Sequence, residues 1–237
     1  MGRVFEKRKH TMFARFAKMA KVFTRIGKDI AMAVKAGGPH PDTNARLRIC
    51  IQNGRAANMP KANIDAAIKR ASDKDVSNYE EAIYEGYAPH GVPVLVECTT
   101  DNPTRTVANV RMYFTRNGGT LGTNGSVSFM FERKAMFKIS SVGLNREEIE
   151  FELIDFGAEE FTWDDENNDL IIQTPFAEFG NMQKGLEDKK IEIKETSKVF
   201  IPTTYKELTD EQEAEVLTMI EKMEDDDDIV AVYHNAR

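Results

Sequence analysis

The spacing of apolar residues changes once along this 237-residue chain, near residue 78, and that change limits what each part can become. Before it, apolar residues recur with a helical period. At 100° per residue, Phe13, Phe16, Phe23, Ile30 and Val34 fall within an arc of about 100°, which predicts an amphipathic helix over residues 12–36. Gly37-Gly38-Pro39-His40-Pro41 stops it, since proline removes a donor and glycine accepts the left-handed cap. Asp42 reads as the N-cap of a second helix reaching Ala57. Pro60 opens a third, with Ile64, Ile68 and Ala71 turned inward. Residues 72–78 are polar and read as a linker.

Beyond the linker, period-2 strands alternate with helices. Residues 92–100 read as a strand. Asn102-Pro103 starts a helix that carries Val107, Val110 and Phe114 to Arg116, and Val127, Phe129 and Phe131 alternate as a strand should. From 134 the predicted order is strand 136–140, helix 146–156, strands 159–163 and 170–174, helix 176–189 and strand 191–195. This β-α-β-β-α-β order is a complete ferredoxin-like set. A strand at 199–201 follows, then a helix opened by capping-box spacing at Thr209 and Gln212, and a last strand over 229–233. The expected architecture is α+β: a basic three-helix domain (1–78), then two ferredoxin-like α/β domains. The last of these (134–197) is inserted into a discontinuous one formed by 79–133 and 198–237.

Charge follows the same division. Residues 1–78 hold 17 Lys+Arg against 6 Asp+Glu, or +11, and residues 79–237 hold 15 against 33, or −18. A chain polarised in this way presents a basic face to a polyanion while its acidic remainder keeps it soluble. On the first helix Lys18, Lys21, Arg25 and Lys28 share an arc of about 80° opposite the phenylalanines, a spacing suited to phosphates along a backbone. Arg3, Lys7, Arg8 and Lys9 are expected to form a flexible basic arm beside it.

Other classes are disfavoured. No apolar run approaches the roughly 20 residues of a membrane span, and the N-terminus has no apolar segment of the secretory kind. Cys50 and Cys98 lie apart in apolar surroundings and read as buried thiols of a reducing compartment. The four histidines are scattered, so no metal site is expected. No catalytic constellation, cofactor motif or small-molecule site is apparent, and an enzyme is not expected. The glycine-rich stretch 118–126 follows a helix and lacks the Lys-Ser/Thr of a phosphate loop, so it reads as a tight connection. Thr99-Thr100-Asp101-Asn102-Pro103-Thr104-Arg105-Thr106 reads chiefly as helix capping, with anion binding as the sharper alternative. The five-carboxylate run 224–228 reads as a solvated turn.

Particular strings resemble the YebC/PmpR family. They are Ala57-Asn58-Met59-Pro60-Lys61, Ile68-Lys69-Arg70, Tyr84-Glu85-Gly86-Tyr87, Val94-Leu95-Val96-Glu97-Cys98-Thr99-Thr100-Asp101-Asn102, Gly118-Gly119-Thr120-Leu121-Gly122 and Val232-Tyr233-His234-Asn235. The family's usual opening, which carries a Trp, is replaced by Gly2-Arg3-Val4-Phe5-Glu6-Lys7-Arg8-Lys9-His10. The resemblance implies a cytoplasmic three-domain protein with a helical N-terminal domain. It further implies a DNA-binding transcriptional regulator or, as in mitochondrial relatives, a translation factor acting on ribosomal RNA at the ribosome. On the charge division, residues 1–78 are expected to shift duplex DNA or RNA in a low-salt electrophoretic assay and residues 79–237 are not. Equal binding by the two fragments would refute the assignment.

Overall fold

A computed structural model of the chain describes residues 3–73 and 78–237, with side chains described from Met19 onward. Helix α1 runs Arg3–Gly37, so the segment expected as a flexible arm belongs to the helix itself. Helices α2 (Ala45–Ala56) and α3 (Lys61–Ser72) follow. The cap of α2 is Asn44 rather than Asp42. The buried Asn44 amide accepts from Leu47 N at 3.0 Å and donates to Ala33 O at 2.7 Å and Gly38 O at 2.8 Å, so one side chain starts α2 and ties it to the end of α1. Ile26, Ile30 and Val34 of α1, Leu47 and Cys50 of α2, and Ile64, Ala67 and Ala71 of α3 close one apolar core.

Two four-stranded sheets follow. The first has the order β3 (Thr120–Leu121), β1 (Glu80–Ala88), β2 (Val92–Thr100), β8 (Ile229–His234). Helices α4 (Pro103–Arg116) and α7 (Asp210–Glu224) belong to the same stretch of topology. The capping box of α7 forms as its spacing predicts: Thr209 N donates to Gln212 Oε1 and Gln212 N to Thr209 Oγ1.

The second sheet, β5 (Glu160–Asp164), β6 (Asp169–Pro175), β4 (Phe131–Ser140), β7 (Ile193–Pro202), is antiparallel throughout. With α5 (Arg146–Ile154) and α6 (Phe179–Asp188) it is the ferredoxin-like arrangement that the element order predicts. Its core is Phe137, Ile139, Ile149, Leu153, Leu170, Ile172, Met182 and Leu186. The strands expected separately at 191–195 and 199–201 are one strand, β7, whose register against β4 shifts once, between Lys138 and Ile139.

The chain divides into two compact units. One gathers Met1–Ile83, Glu97–Asn109 and Lys222–Ala231, and the other takes Tyr84–Val96, Val110–Glu221 and Val232–Arg237.

Residues 126–130 are not the strand their alternation suggests; Ser128–Met130 is a 3-10 turn, and only Phe131 of the alternating set is in a strand, as the first residue of β4. The cause is Glu85 on β1. Its carboxylate accepts from Gly125 N at 2.8 Å, Val127 N at 2.8 Å and Ser128 N at 2.9 Å, which removes those amides from any ladder. Gly125 sits at φ +86°, a conformation the loop needs to aim its amide inward. Gly122 has no positive φ but is held by close approach, since a Cβ there would lie 2.5 Å from Ser126 Oγ.

Burial works to raise the Glu85 pKa, yet the three amide bonds outweigh it and hold the carboxyl below its ordinary 4.5. The contribution of the carboxylate to stability is therefore complete above that ordinary value and fades as pH falls through the lowered one. Glu85→Ala is expected to destabilise the protein by about 3 kcal/mol or more, because three amides lose their acceptor. Glu85→Gln should flatten the loss of stability on acidification. Thermal unfolding of both variants between neutral and acid pH checks this; wild-type behaviour of both would disprove the cradle's role.

Candidate nucleic-acid interface

Lys21, Arg25 and Lys28 project along one stripe of α1, as the helical period requires, but the stripe is not open to solvent. Lys28 is 8 % exposed. Its ammonium donates to Thr99 O at 2.9 Å, Asp227 O at 2.7 Å and Asp228 Oδ1 at 3.0 Å, and lies 5.6 Å from the centre of the Tyr79 ring. Arg25 donates to Glu224 O at 3.2 Å, and Lys21 pairs with Asp225. The expectation of a solvent-facing Lys28 is therefore corrected, and the reason is tertiary. A buried ammonium needs acceptors on all sides, and residues 99 and 227–228 supply them. Arg3, Lys7, Arg8, Lys9 and Lys18 lie outside the residues whose side chains are described.

The acidic run is equally divided. Asp225 is exposed and pairs with Lys21, whereas Asp228 is 5 % exposed and forms the centre of a network. Asp228 Oδ2 accepts from Arg105 Nη2 at 2.7 Å, Arg105 Nε at 3.2 Å, Thr106 Oγ1 at 3.0 Å and Thr100 Oγ1 at 3.3 Å. Its own amide donates to Asp226 Oδ1 at 2.9 Å, and Asp226 Oδ2 accepts from Asn109 at 3.0 Å. The run is thus a structured corner, and the solvated-turn reading fails at Asp226 and Asp228. Burial works to raise the Asp228 pKa, but the bonds from Arg105, Lys28 and Thr106 pull it below the usual value, so the carboxylate is charged at neutral pH.

The Thr99–Thr106 stretch caps α4 as expected. Asn102 Oδ1 accepts from Arg105 N at 3.1 Å, and Thr100 Oγ1 accepts from Asn102 N at 2.9 Å. The anion this helix start attracts is the chain's own Asp228. In the glycine-rich stretch the amides of Gly122 and Gly125 are likewise engaged, the first by the Glu85 carbonyl and the second by its carboxylate. Nearby Cys98 is fully buried and its pKa is pushed up to about 12, by burial first and then by Asp226 and Asp228, so it is no nucleophile at neutral pH. Among the described residues no cluster of His, Cys, Asp and Glu is arranged for a metal ion, and no helix is long and apolar enough to cross a membrane.

At the start of α2, Arg46 pairs with Glu81 at 2.6 Å, and Arg48 donates to Pro41 O at 2.9 Å and Asp42 O at 3.2 Å. Arg55 of α2 and Lys61 and Lys69 of α3 are exposed and engage no carboxylate among the described residues.

Comparison with known proteins places these features. Residues 3–74 match the model of the TACO1/YebC protein N-terminal domain, and residues 79–236 match that of the TACO1/YebC second and third domain. A Flavobacterium johnsoniae protein named "probable transcriptional regulatory protein" is 54 % identical over 237 residues, covering 100 % of this chain and 99 % of the relative. A protein of the same name from Myxococcus xanthus is 50 % identical over 238 residues, covering 99 % of both. The crystal structure of a conserved hypothetical protein from Aquifex aeolicus superposes with a TM-score of 0.76 at 35 % identity, covering 92 % of this chain and 90 % of that one. The chain belongs to the TACO1/YebC family, whose curated relatives carry a regulatory name.

The network sets its own mutational signature. Asp228→Ala strands the Lys28 ammonium in a buried site and is expected to cost about 3–5 kcal/mol. Asp225→Asn, at a carboxylate 78 % exposed, should change stability by about 0.5 kcal/mol or less. Chemical denaturation of the two variants side by side checks the contrast; equal losses would show that the buried pair has no special weight.

Proposed function

We propose that this chain is a non-enzymatic, cytoplasmic, DNA-binding transcriptional regulator that contacts duplex phosphates through its basic N-terminal helices. The observation that carries this reading is the +11 charge of residues 1–78 in a chain that is −7 overall. The name of the relatives, a regulatory one, agrees with it. The contact set consists of Arg3, Lys7, Arg8, Lys9 and Lys18 on the first half of α1. Lys21 and Arg25 join when phosphate replaces Asp225 and the Glu224 carbonyl, and Lys28 holds the fold. The three-part division, with 134–197 inserted between 79–133 and 198–237, belongs to the same proposal: one basic part binds and two acidic parts do not.

A second reading, a translation factor on ribosomal RNA, is favoured by one specific feature. Arg46 and Arg48, at the start of α2 where a recognition helix would read bases, are tied to Glu81, Pro41 and Asp42. Binding would then depend on backbone shape more than on base edges.

Replacing Arg3, Lys7, Arg8, Lys9 and Lys18 together with Gln is expected to flatten the slope of log affinity against log salt on duplex DNA by roughly 4–5 units. Affinity should fall evenly across sequences, because phosphate contacts carry no base information. Titration of the full chain at several salt concentrations, on duplex DNA and on a ribosomal RNA hairpin, tests both readings. An unchanged slope on both, with an intact fold, would overturn the assignment of α1.

A further inference from the structure

A cleft of about 710 Å³ opens between α2, α3 and the turn at Pro39 and Pro41. Its floor is aliphatic: Met59 and Ile64 are buried, and Ile51 and Ile68 are half-buried. Its rim carries Arg55, Lys61 and Lys69 against one carboxylate, Asp65. This volume lies within the range of small-ligand sites, roughly 300–1,000 Å³, and an apolar bed with a few convergent polar groups is their usual composition.

The rim differs in kind from the stripe on α1. There each described cation already has an acceptor within the chain, whereas Arg55, Lys61 and Lys69 engage no carboxylate among the described residues. Lys61 and Lys69 lie eight residues apart on α3, roughly 12 Å along the axis, with Asp65 midway on the same face. Three cations against one carboxylate attract phosphate. An aliphatic floor accepts the face of an apolar ring and offers nothing to a second charge. Asp65 repels phosphate but accepts a hydrogen bond from a hydroxyl, as a carboxylate does from the 2′-hydroxyl of ribose.

We infer that this cleft binds a phosphorylated ribonucleoside, with its base on Ile51, Met59 and Ile68, its phosphates at Arg55, Lys61 and Lys69, and its ribose at Asp65. The inference rests on reading the N-terminal helices as the nucleic-acid-binding part only if the nucleotide comes from a strand. A free nucleotide requires no such reading. The two sources share one chemistry, and one experiment separates them.

The full chain, carrying ¹³C-methyl-labelled Ile and Met, is titrated in separate arms with adenosine triphosphate, an unstructured single-stranded hexaribonucleotide, its deoxy counterpart and tripolyphosphate. A base on the floor shifts the methyl signals of Ile51, Met59 and Ile68 upfield by its ring current. Shifts with the triphosphate assign the site to a free nucleotide, and shifts with the hexamer alone assign it to an unpaired nucleotide of a strand. Lys61→Gln and Lys69→Gln should each weaken that binding about tenfold. Asp65→Asn should narrow the preference for ribose over deoxyribose. All three positions are exposed, so their variants should fold as wild type.

Methyl signals unmoved by every arm would overturn the inference. So would tripolyphosphate competing as well as the nucleotides, or affinity indifferent to Lys61 and Lys69. The five-residue variant of α1 separates this failure from that of the proposed function, since it should lose duplex binding and keep the methyl shifts.

Discussion

The carboxylate of Asp228 is the point on which the first compact unit depends. It is buried among donors from three separate stretches of sequence: Lys28 of α1, Thr100 at the end of β2, and Arg105 and Thr106 of α4. A buried ion is tolerated only when its lone pairs are met, and this one is met several times over. Ammonium and carboxylate stand 200 residues apart in sequence, so the pair forms only when the last helix–strand corner has reached the first helix. The unit is for that reason discontinuous, taking in 97–109 and 222–231 together with the N-terminal helices.

This arrangement changes the meaning of the charge polarity. The basic first third and the acidic remainder are not two patches facing solvent independently, because part of each is spent on the other. Lys21, Arg25 and Lys28 meet residues 224–228, and the outermost of these contacts, Lys21 with Asp225, is the most accessible to water. The surface of α1 is therefore graded, from the accessible pair at Lys21 to the enclosed Lys28. Surface ion pairs of the Lys21 type contribute little to folding and exchange readily.

The sequence disclosed what is local. Helices α2 to α4, the capping box of α7 and the ferredoxin-like order of 134–197 follow from periodicity and punctuation within a dozen residues at a time. What escaped it has distant causes. Strand β1, Glu80–Ala88, is rich in carboxylates and was not distinguished, because the partner that makes Glu85 tolerable lies 40 residues on. The false strand at 126–130 fails for the same reason, the amides of Val127 and Ser128 being claimed by that carboxylate. On α1 the spacing of the cations was legible, but the acceptors that bury Lys28 sit in a run of five acids whose composition suggests only solvation. The cleft beside α3 had no sequence signal, since its floor residues are also core residues by period.

The cradle around Glu85 carries a kinetic implication. A loop whose amides are held by a side chain of another strand has no ladder of its own to protect it. Hydrogen exchange at Gly125, Val127 and Ser128 therefore reports the opening of β1, not of the segment in which those amides lie. The glycine-rich connection becomes ordered when the strand bearing its acceptor is in place, so two stretches separated by an entire helix and strand open and close as one cooperative element.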